Sequence, residues 1–241
     1  MKSIPSTVRS VASITALLAV IVVAISSCAK NHITDNSTAG AKIMAFNLSI
    51  DKTIGFTLNG NNVTSTPLAF SNFTGGYVNV DSGQYAVTAY DAATTNSGHT
   101  LASAAGAFST NKYYSVFFVG RDSTYQNVLV SDNLDQLTGE SGKAYIRFMN
   151  AIPDSTAAPV VTVAAAGTTV LSGEASYPGI FDFTSVNAGD LVVTAKNGSD
   201  IDVTKTITVA EKTVYTILLT GMPGSTAAPA AIQYIANGSL Q

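Results

Sequence analysis

The sequence predicts an all-β protein with two tandem immunoglobulin-like or transthyretin-like β-sandwich domains. Three observations predict it. Three sequence blocks recur in the same order about a hundred residues apart. Between them, short runs alternate apolar and polar residues and are punctuated by Gly, Asn, Asp and Pro. Charged residues make up only 11 % of the chain, while Ser, Thr, Val and Gly abound, a composition suited to short strands joined by polar turns.

The first segment is of a different kind. Lys2 and Arg9 give it a positive start, and Val11 to Ile25 is an apolar run of about fifteen residues. That is short for a membrane span and right for the hydrophobic region of a signal peptide. It closes with Ile25-Ser26-Ser27-Cys28, which resembles the lipobox of bacterial lipoproteins: an aliphatic residue and two small ones before a cysteine. Residues 1–27 are therefore expected to be a cleaved lipoprotein signal peptide, with Cys28 the lipidated first residue of the mature chain. Residues 28–40 (CAKNHITDNSTAG) follow as a polar tether. Ala29 is not the Asp associated with inner-membrane retention, so the resemblance implies an outer-membrane lipid anchor, facing either the periplasm or the cell surface. Each buried methylene of such an anchor contributes about 0.8 kcal/mol. Cys28 is the only cysteine, so no intrachain disulfide forms and the fold rests on its cores.

The repeat begins after the tether. Lys42-Ile43-Met44-Ala45-Phe46-Asn47 answers to Tyr145-Ile146-Arg147-Phe148-Met149-Asn150. Val80-Asp81-Ser82-Gly83-Gln84-Tyr85-Ala86-Val87 answers to Val186-Asn187-Ala188-Gly189-Asp190-Leu191-Val192-Val193. Tyr114-Ser115-Val116-Phe117-Phe118-Val119-Gly120 answers to Tyr215-Thr216-Ile217-Leu218-Leu219-Thr220-Gly221. A duplicated domain is the simplest cause: domain 1 over residues 41–137, a turn-rich linker over 138–142, and domain 2 over 143–241. Within each copy the period is two. Ile201, Val203, Ile207 and Val209 alternate with Asp202, Thr204, Thr206 and Thr208, and Tyr85, Val87 and Ala89 share one strand face. Asn59-Gly60-Asn61-Asn62 is a hairpin turn, and Gly83 and Gly189 mark tight turns into the next strand.

Gly142-Lys143-Ala144-Tyr145-Ile146-Arg147-Phe148-Met149-Asn150-Ala151-Ile152-Pro153-Asp154 resembles the opening of the domain of unknown function 4397. That family begins GKA-x-[VI]-R-[FV]-x-N-x-SPDA, then has a G-x-Y turn and a closing Y-x-[VI] strand. Leu129-Val130-Ser131-Asp132-Asn133-Leu134 is similar to the segment that precedes a second copy. The first copy keeps only Asn47, Ser49 and Asp51 of the opening, and Leu191 stands in the second where the first has Tyr85. The resemblance implies a secreted or lipid-anchored envelope protein of no known reaction.

The residues point away from catalysis. His99 has only Asp91 or Asp81 as a partner for a Ser-His-Asp site, the other histidine being His32 in the tether, and no G-x-S-x-G elbow presents a serine. His and Cys are too few for a metal site, and Asp200/Asp202 and Asp132/Asp135 lack a calcium-loop frame. Gly139-Glu140-Ser141-Gly142-Lys143 lacks the spacing of a phosphate loop. No cofactor and no enzymatic activity are expected. The mature chain carries ten basic against fifteen acidic residues, a balance of about −5 that argues against nucleic acid. Tyr77, Tyr85, Tyr90, Tyr113, Tyr114 and Tyr125 crowd the first copy. Some are core, one near Gly83 reads as a corner tyrosine, and exposed ones would stack on sugar faces. Asp122-Ser123-Thr124 and Asp154-Ser155-Thr156 resemble a short bacterial O-glycosylation sequon. The expected role is a non-enzymatic structural or display protein of the cell envelope. The alternative is an adhesion module that recognises a glycan or an envelope protein through exposed Tyr or sheet edges.

Overall fold

The blocks that recur in sequence become equivalent strands. The computed structural model describes residues 40–93, 97–153 and 155–241. The signal peptide, Cys28, His32 and Asp154 lie outside the described residues. The first copy runs β1 (Ala41–Asn47), β2 (Ile54–Leu58), β3 (Asn61–Asn62), β4 (Val78–Val80), β5 (Gly83–Asp91), β6 (Thr100–Phe108), β7 (Tyr113–Arg121) and β8 (Thr124–Ser131). The second runs β9 (Lys143–Asn150), β10 (Val160–Ala165), β11 (Thr168–Glu174), β12 (Thr184–Asn187), β13 (Gly189–Lys196), β14 (Asp202–Val209), β15 (Thr213–Thr220) and β16 (Ala231–Ser239).

Each copy is a sandwich of two four-stranded sheets. Their orders are β4-β1-β7-β8 over β3-β2-β5-β6, and then β12-β9-β15-β16 over β11-β10-β13-β14, so every strand has its counterpart eight strands later. The first strand of each copy pairs in parallel with the seventh, Ala45 opposite Val116 and Phe148 opposite Ile217. The fold is all-β, in two tandem immunoglobulin-like or transthyretin-like sandwiches.

Alternation explains the cores. Ile43, Ala45, Val116 and Phe118 of one sheet meet Phe56, Val87 and Ala89 of the other. In the second copy Ile146, Phe148, Ile217 and Leu219 meet Val161, Val193, Ile207 and Val209. The Asn59-Gly60 turn forms as its residue types require, with φ of 49° and 86°. Gly120 and Gly221 end the seventh strands at φ of 109° and 95°, and a Cβ there would strike the carbonyl oxygens of Thr124 and Pro229.

Two repeated polar residues turn out to brace loops. Asn47 donates to the carbonyls of Lys52 and Leu68 and accepts from Ser49 N–H; Asn150 donates to Ala175 O and accepts from Ile152 N–H. The corner tyrosine is not the residue near Gly83. Tyr114 accepts from Ser109 N–H at 2.9 Å and Tyr215 accepts from Ala210 N–H at 3.0 Å, each capping the turn before its own strand. Tyr85 stacks on Phe108 instead.

The two sandwiches are joined face to face. Strands β1, β7, β9 and β15 are buried on both sides, because one side fills the domain's own core and the other meets the partner domain. Met44, Phe46, Leu48, Phe117 and Val119 from the first copy pack with Met149, Ala151 and Leu218 from the second. Phe46 stacks between Phe73 and Phe117. The connecting segment is packed as well: Leu134, in a single 3₁₀ turn (Leu134–Gln136), is buried with Tyr113, Tyr145 and Val214. The result is four stacked sheets and three continuous apolar layers.

Candidate functional site

Two places gather polar side chains into defined geometry. The first is the interdomain interface, where Arg147 is buried at 2 % exposure. Its Nε donates to Thr216 Oγ1 at 2.9 Å, one Nη to Asp132 Oδ1 at 2.6 Å and the other to Ser115 Oγ at 2.7 Å. Phe183 lies 4.4 Å from the guanidinium carbon and Phe117 5.6 Å, one ring from each domain. Asp132 Oδ2 accepts from Tyr77 Oη and Ser115 Oγ. Burial, and then the adjacent Asp132 carboxylate, push the Tyr77 phenol well up, so it stays a proton donor. Ser115 and Thr216 are counterparts in the repeat. The residues they hold, Asp132 and Asn237, face Arg147 and its counterpart Met44 across the interface. Arg121 likewise meets its own counterpart, Met222, with Nη1 2.9 Å from Sδ. The contacts thus follow a local two-fold relation, with an ion pair on one side and a Met–Asn pair on the other.

The second place is the loop end of the sandwiches, where the chain turns at Asn47, Arg121 and Asn150. Three clefts adjoin there. One is walled by both domains: Arg121, Asp122, Thr124, Tyr125 and Gln126 from the β7–β8 hairpin, and Pro153 and Tyr177 from domain 2, around about 490 Å³. A second holds Lys52, Asp91, His99, Ser123 and Tyr125, and a third Asp51, Lys52, Phe70 and Asp91. Tyr125 is shared by the first two. Its ring stacks on Phe118, Lys52 lies 5.9 Å over it, and its hydroxyl donates to Asp51 Oδ2 at 2.6 Å. Burial and then that bond push the Tyr125 phenol up to about 12. Burial works to raise the Asp51 carboxyl, but bonds from Ser49, Tyr125 and Asp122 N–H outweigh it and hold it low. Asp91, buried at 2 %, is held low first by Ala93 N–H, against desolvation, and then by Lys52 at 3.2 Å.

A carboxyl held low in the folded state contributes stability above its unfolded pKa of about 3.9 and loses it as pH falls through the folded value. Thermal unfolding followed across pH 7 to 2 should show a melting temperature that holds down to about pH 4 and drops below it. Asp91→Asn should flatten part of that acid limb; an unchanged limb would show that Asp91 does not contribute to it.

Of the sequence-predicted candidates, His99 and Asp91 line one cleft with Ser123, and the others stand apart. His99 is exposed and lies across the β5–β6 hairpin from Asp91, whose N–H donates to His99 O at 2.8 Å. Asp81 sits at the other end of β5, so only one of the two carboxylates is near the histidine. Asp132 pairs with Arg147, whereas Asp135 pairs with Lys112 at 2.6 Å. Asp200 accepts from Thr156 and Asn197, and Asp202 pairs with Lys196. Among the described residues no three of His, Cys, Asp and Glu converge. At the linker, Gly142 N–H donates to Glu211 and Lys143 to Asn187, so this loop meets a protein carboxylate. That N–H, first among its partners, holds the Glu211 carboxyl low. The tyrosines of the first copy are not open platforms: Tyr113 is buried and Tyr77, Tyr85, Tyr90, Tyr114 and Tyr125 are partly buried. Asp122, Ser123 and Thr124 are exposed on the β7–β8 hairpin tip. Sequence reasoning passed over Arg147, Ser115, Thr216 and Asn237. The signal available for Arg147 is a charged residue inside an apolar strand block.

The model of the domain of unknown function 4397 matches the chain twice, over residues 41–157 and 144–235. None of the curated proteins matches it. Among solved structures, the TIE protein of Bacillus anthracis is similar at 11 % identity and a TM-score of 0.27, over 77 % of this chain and 34 % of that one, so the chain spans about a third of its length. A candidate cell adhesion protein of Bacteroides eggerthii is similar at 13 % identity and a TM-score of 0.24, over 84 % of this chain and 97 % of that one. Another, of Bacteroides ovatus, is similar at 10 % and 0.24, over 85 % and 100 %.

Proposed function

We propose a function from one premise: the chain belongs to the family of the domain of unknown function 4397, which it carries in two copies. It is a lipid-anchored protein of the cell envelope, held at the outer membrane by acylated Cys28, and its role is structural or display rather than enzymatic. The observation that carries this reading is the interdomain interface. Burial of Met44, Phe46, Phe117, Met149 and Leu218 between the sandwiches makes one stiff body of the two, suited to holding a surface at a fixed place beyond the bilayer.

Cys28→Ser should abolish incorporation of labelled fatty acid and move the protein from the membrane to the soluble fraction. Retention of label would refute the anchor at that residue. Protease treatment of intact cells, with purified protein digested in parallel, then tells an external from a periplasmic position.

The second reading is an adhesion module. The three adjoining clefts at the loop end favour it, because concave surfaces with a few convergent polar groups are where ligands bind.

A further inference from the structure

We infer that the outer face of the sheet β3-β2-β5-β6 binds an extended neutral polysaccharide laid across its strands; this rests on the adhesion reading and gives it a ligand class. These four strands hold a single charged residue, Asp91, and it is buried. The equivalent sheet of the second copy carries Glu174, Asp190, Lys196 and Asp202, all exposed. A face without charge complements a ligand without charge. It also differs from the faces that dock in this molecule, which are built of Met44, Phe46, Phe117 and Val119. Hydroxyls and small side chains replace them here, so the face suits a hydroxylated chain rather than a second protein sheet.

Register sets the polar groups in a row. Thr57 lies opposite Thr88, and Thr88 opposite Ser103, one hydroxyl from each of three neighbouring strands. Strands lie about 4.8 Å apart, and an extended chain of equatorially linked hexoses advances by a similar step per sugar. Thr88 and Ser103 share one bond at 3.1 Å, which uses one of their two O–H donors and leaves the other. The Thr57 hydroxyl and the exposed Gln84 amide have no side-chain partner among the described residues. Beside the row stands Tyr90, opposite Gly55. A Cβ at residue 55 would take the place of the ring's Cζ and Oη, so the ring leans over β2 where glycine admits it. Its hydroxyl donates to Asn62 Oδ1 on β3 at 3.3 Å. The ring is half set into the sheet in this way. Among the described residues no other ring and no cation packs on it, so its outer side is open to the C–H face of a pyranose. A depression of about 390 Å³ by Gln84, Ala86, Ser103 and Ala105 continues the face. The second copy keeps the hydroxyl row at Thr162, Thr194 and Thr204 but has Val160 and Lys196 in place of Gly55 and Tyr90. The ring, and with it the site, belongs to the first copy alone.

The test titrates the full chain in detergent, by calorimetry, with hexasaccharides of β-1,4-linked glucose, xylose, mannose and N-acetylglucosamine, and with a uronic-acid hexamer as the anionic control. A neutral hexamer should bind and the anionic one should not. Tyr90→Ala should weaken that binding about tenfold, and Tyr90→Phe, which keeps the ring, should restore it. Tyr90→Ala also uncovers Gly55, so a second variant leaves the ring in place. Thr57→Val with Ser103→Ala should weaken binding by a similar factor at an unchanged melting temperature. Lys196→Ala, on the equivalent face of the second copy, should have no effect. Binding that survives both Tyr90→Ala and the double variant overturns the assignment to this face while leaving the adhesion reading intact. Failure of every neutral hexamer to bind, or tighter binding of the anionic one, overturns the inference. Attachment of cells bearing the protein to protein-coated and polysaccharide-coated surfaces then decides the adhesion reading separately.

Discussion

Arg147→Met should lower the stability of the whole chain by about 3–5 kcal/mol, because it leaves the buried Asp132 carboxylate without its cation. For a chain of this size that is a fall of roughly 10 °C in melting temperature. The loss has two parts that a second variant separates. On the other side of the local two-fold relation, Met44 and Asn237 occupy the places of Arg147 and Asp132 without any charge. The double variant Arg147→Met with Asp132→Asn copies that arrangement, so it should recover most of the loss. Replacing both partners of a buried pair is frequently neutral, whereas removing one is not. Thermal unfolding of the two variants beside the parent measures this directly. If the double variant is as unstable as the single one, the interaction energy between Arg147 and Asp132 is not what the substitution removes.

Phe117→Ala should cost about 3–5 kcal/mol as well, and should change the character of unfolding. The ring lies fully buried between the domains, 4.7 Å from Phe46. It is on the side of β7 that an isolated sandwich would turn to water. Its removal therefore leaves both domain cores filled and opens a void only where the domains meet. Scanning calorimetry of the parent should give one cooperative transition, since neither interface face tolerates exposure. The Phe117→Ala variant should give two. Two separate transitions already in the parent would mean that the interface does not couple the domains.

Much of the fold was legible because β-structure writes itself locally. The alternation at Ile201 to Val209 became a strand with Ile207 and Val209 inward, and Asn59-Gly60 became a turn with both residues at positive φ. The repeat predicted which strands correspond. What it did not predict was how the copies meet, although part of the signal was present. Val116-Phe117-Phe118-Val119 and Ile217-Leu218-Leu219 do not alternate, and a strand without alternation is buried on both faces. Those runs served only to align the repeats. The polar lock was beyond local pattern altogether. Asp132 sits in the segment that precedes the second copy and Arg147 inside a family motif, and only the docking of one sheet on another brings them within 2.6 Å. The cleft at the loop end was hidden for the same reason, since Gln126 and Tyr177 are neighbours only through the interface.

The parallel pairing of the first strand with the seventh has a bearing on reach. Strands β1 and β9 both begin at the pole of the molecule where Tyr113 and Tyr145 cluster, and both climb toward the pole that carries the hairpin tip at Asp122. Seven residues of β1 lift the chain by about 20 Å on the way. A body fastened through its N-terminal end at Ala41 would carry the three adjoining clefts at the pole far from the point of attachment.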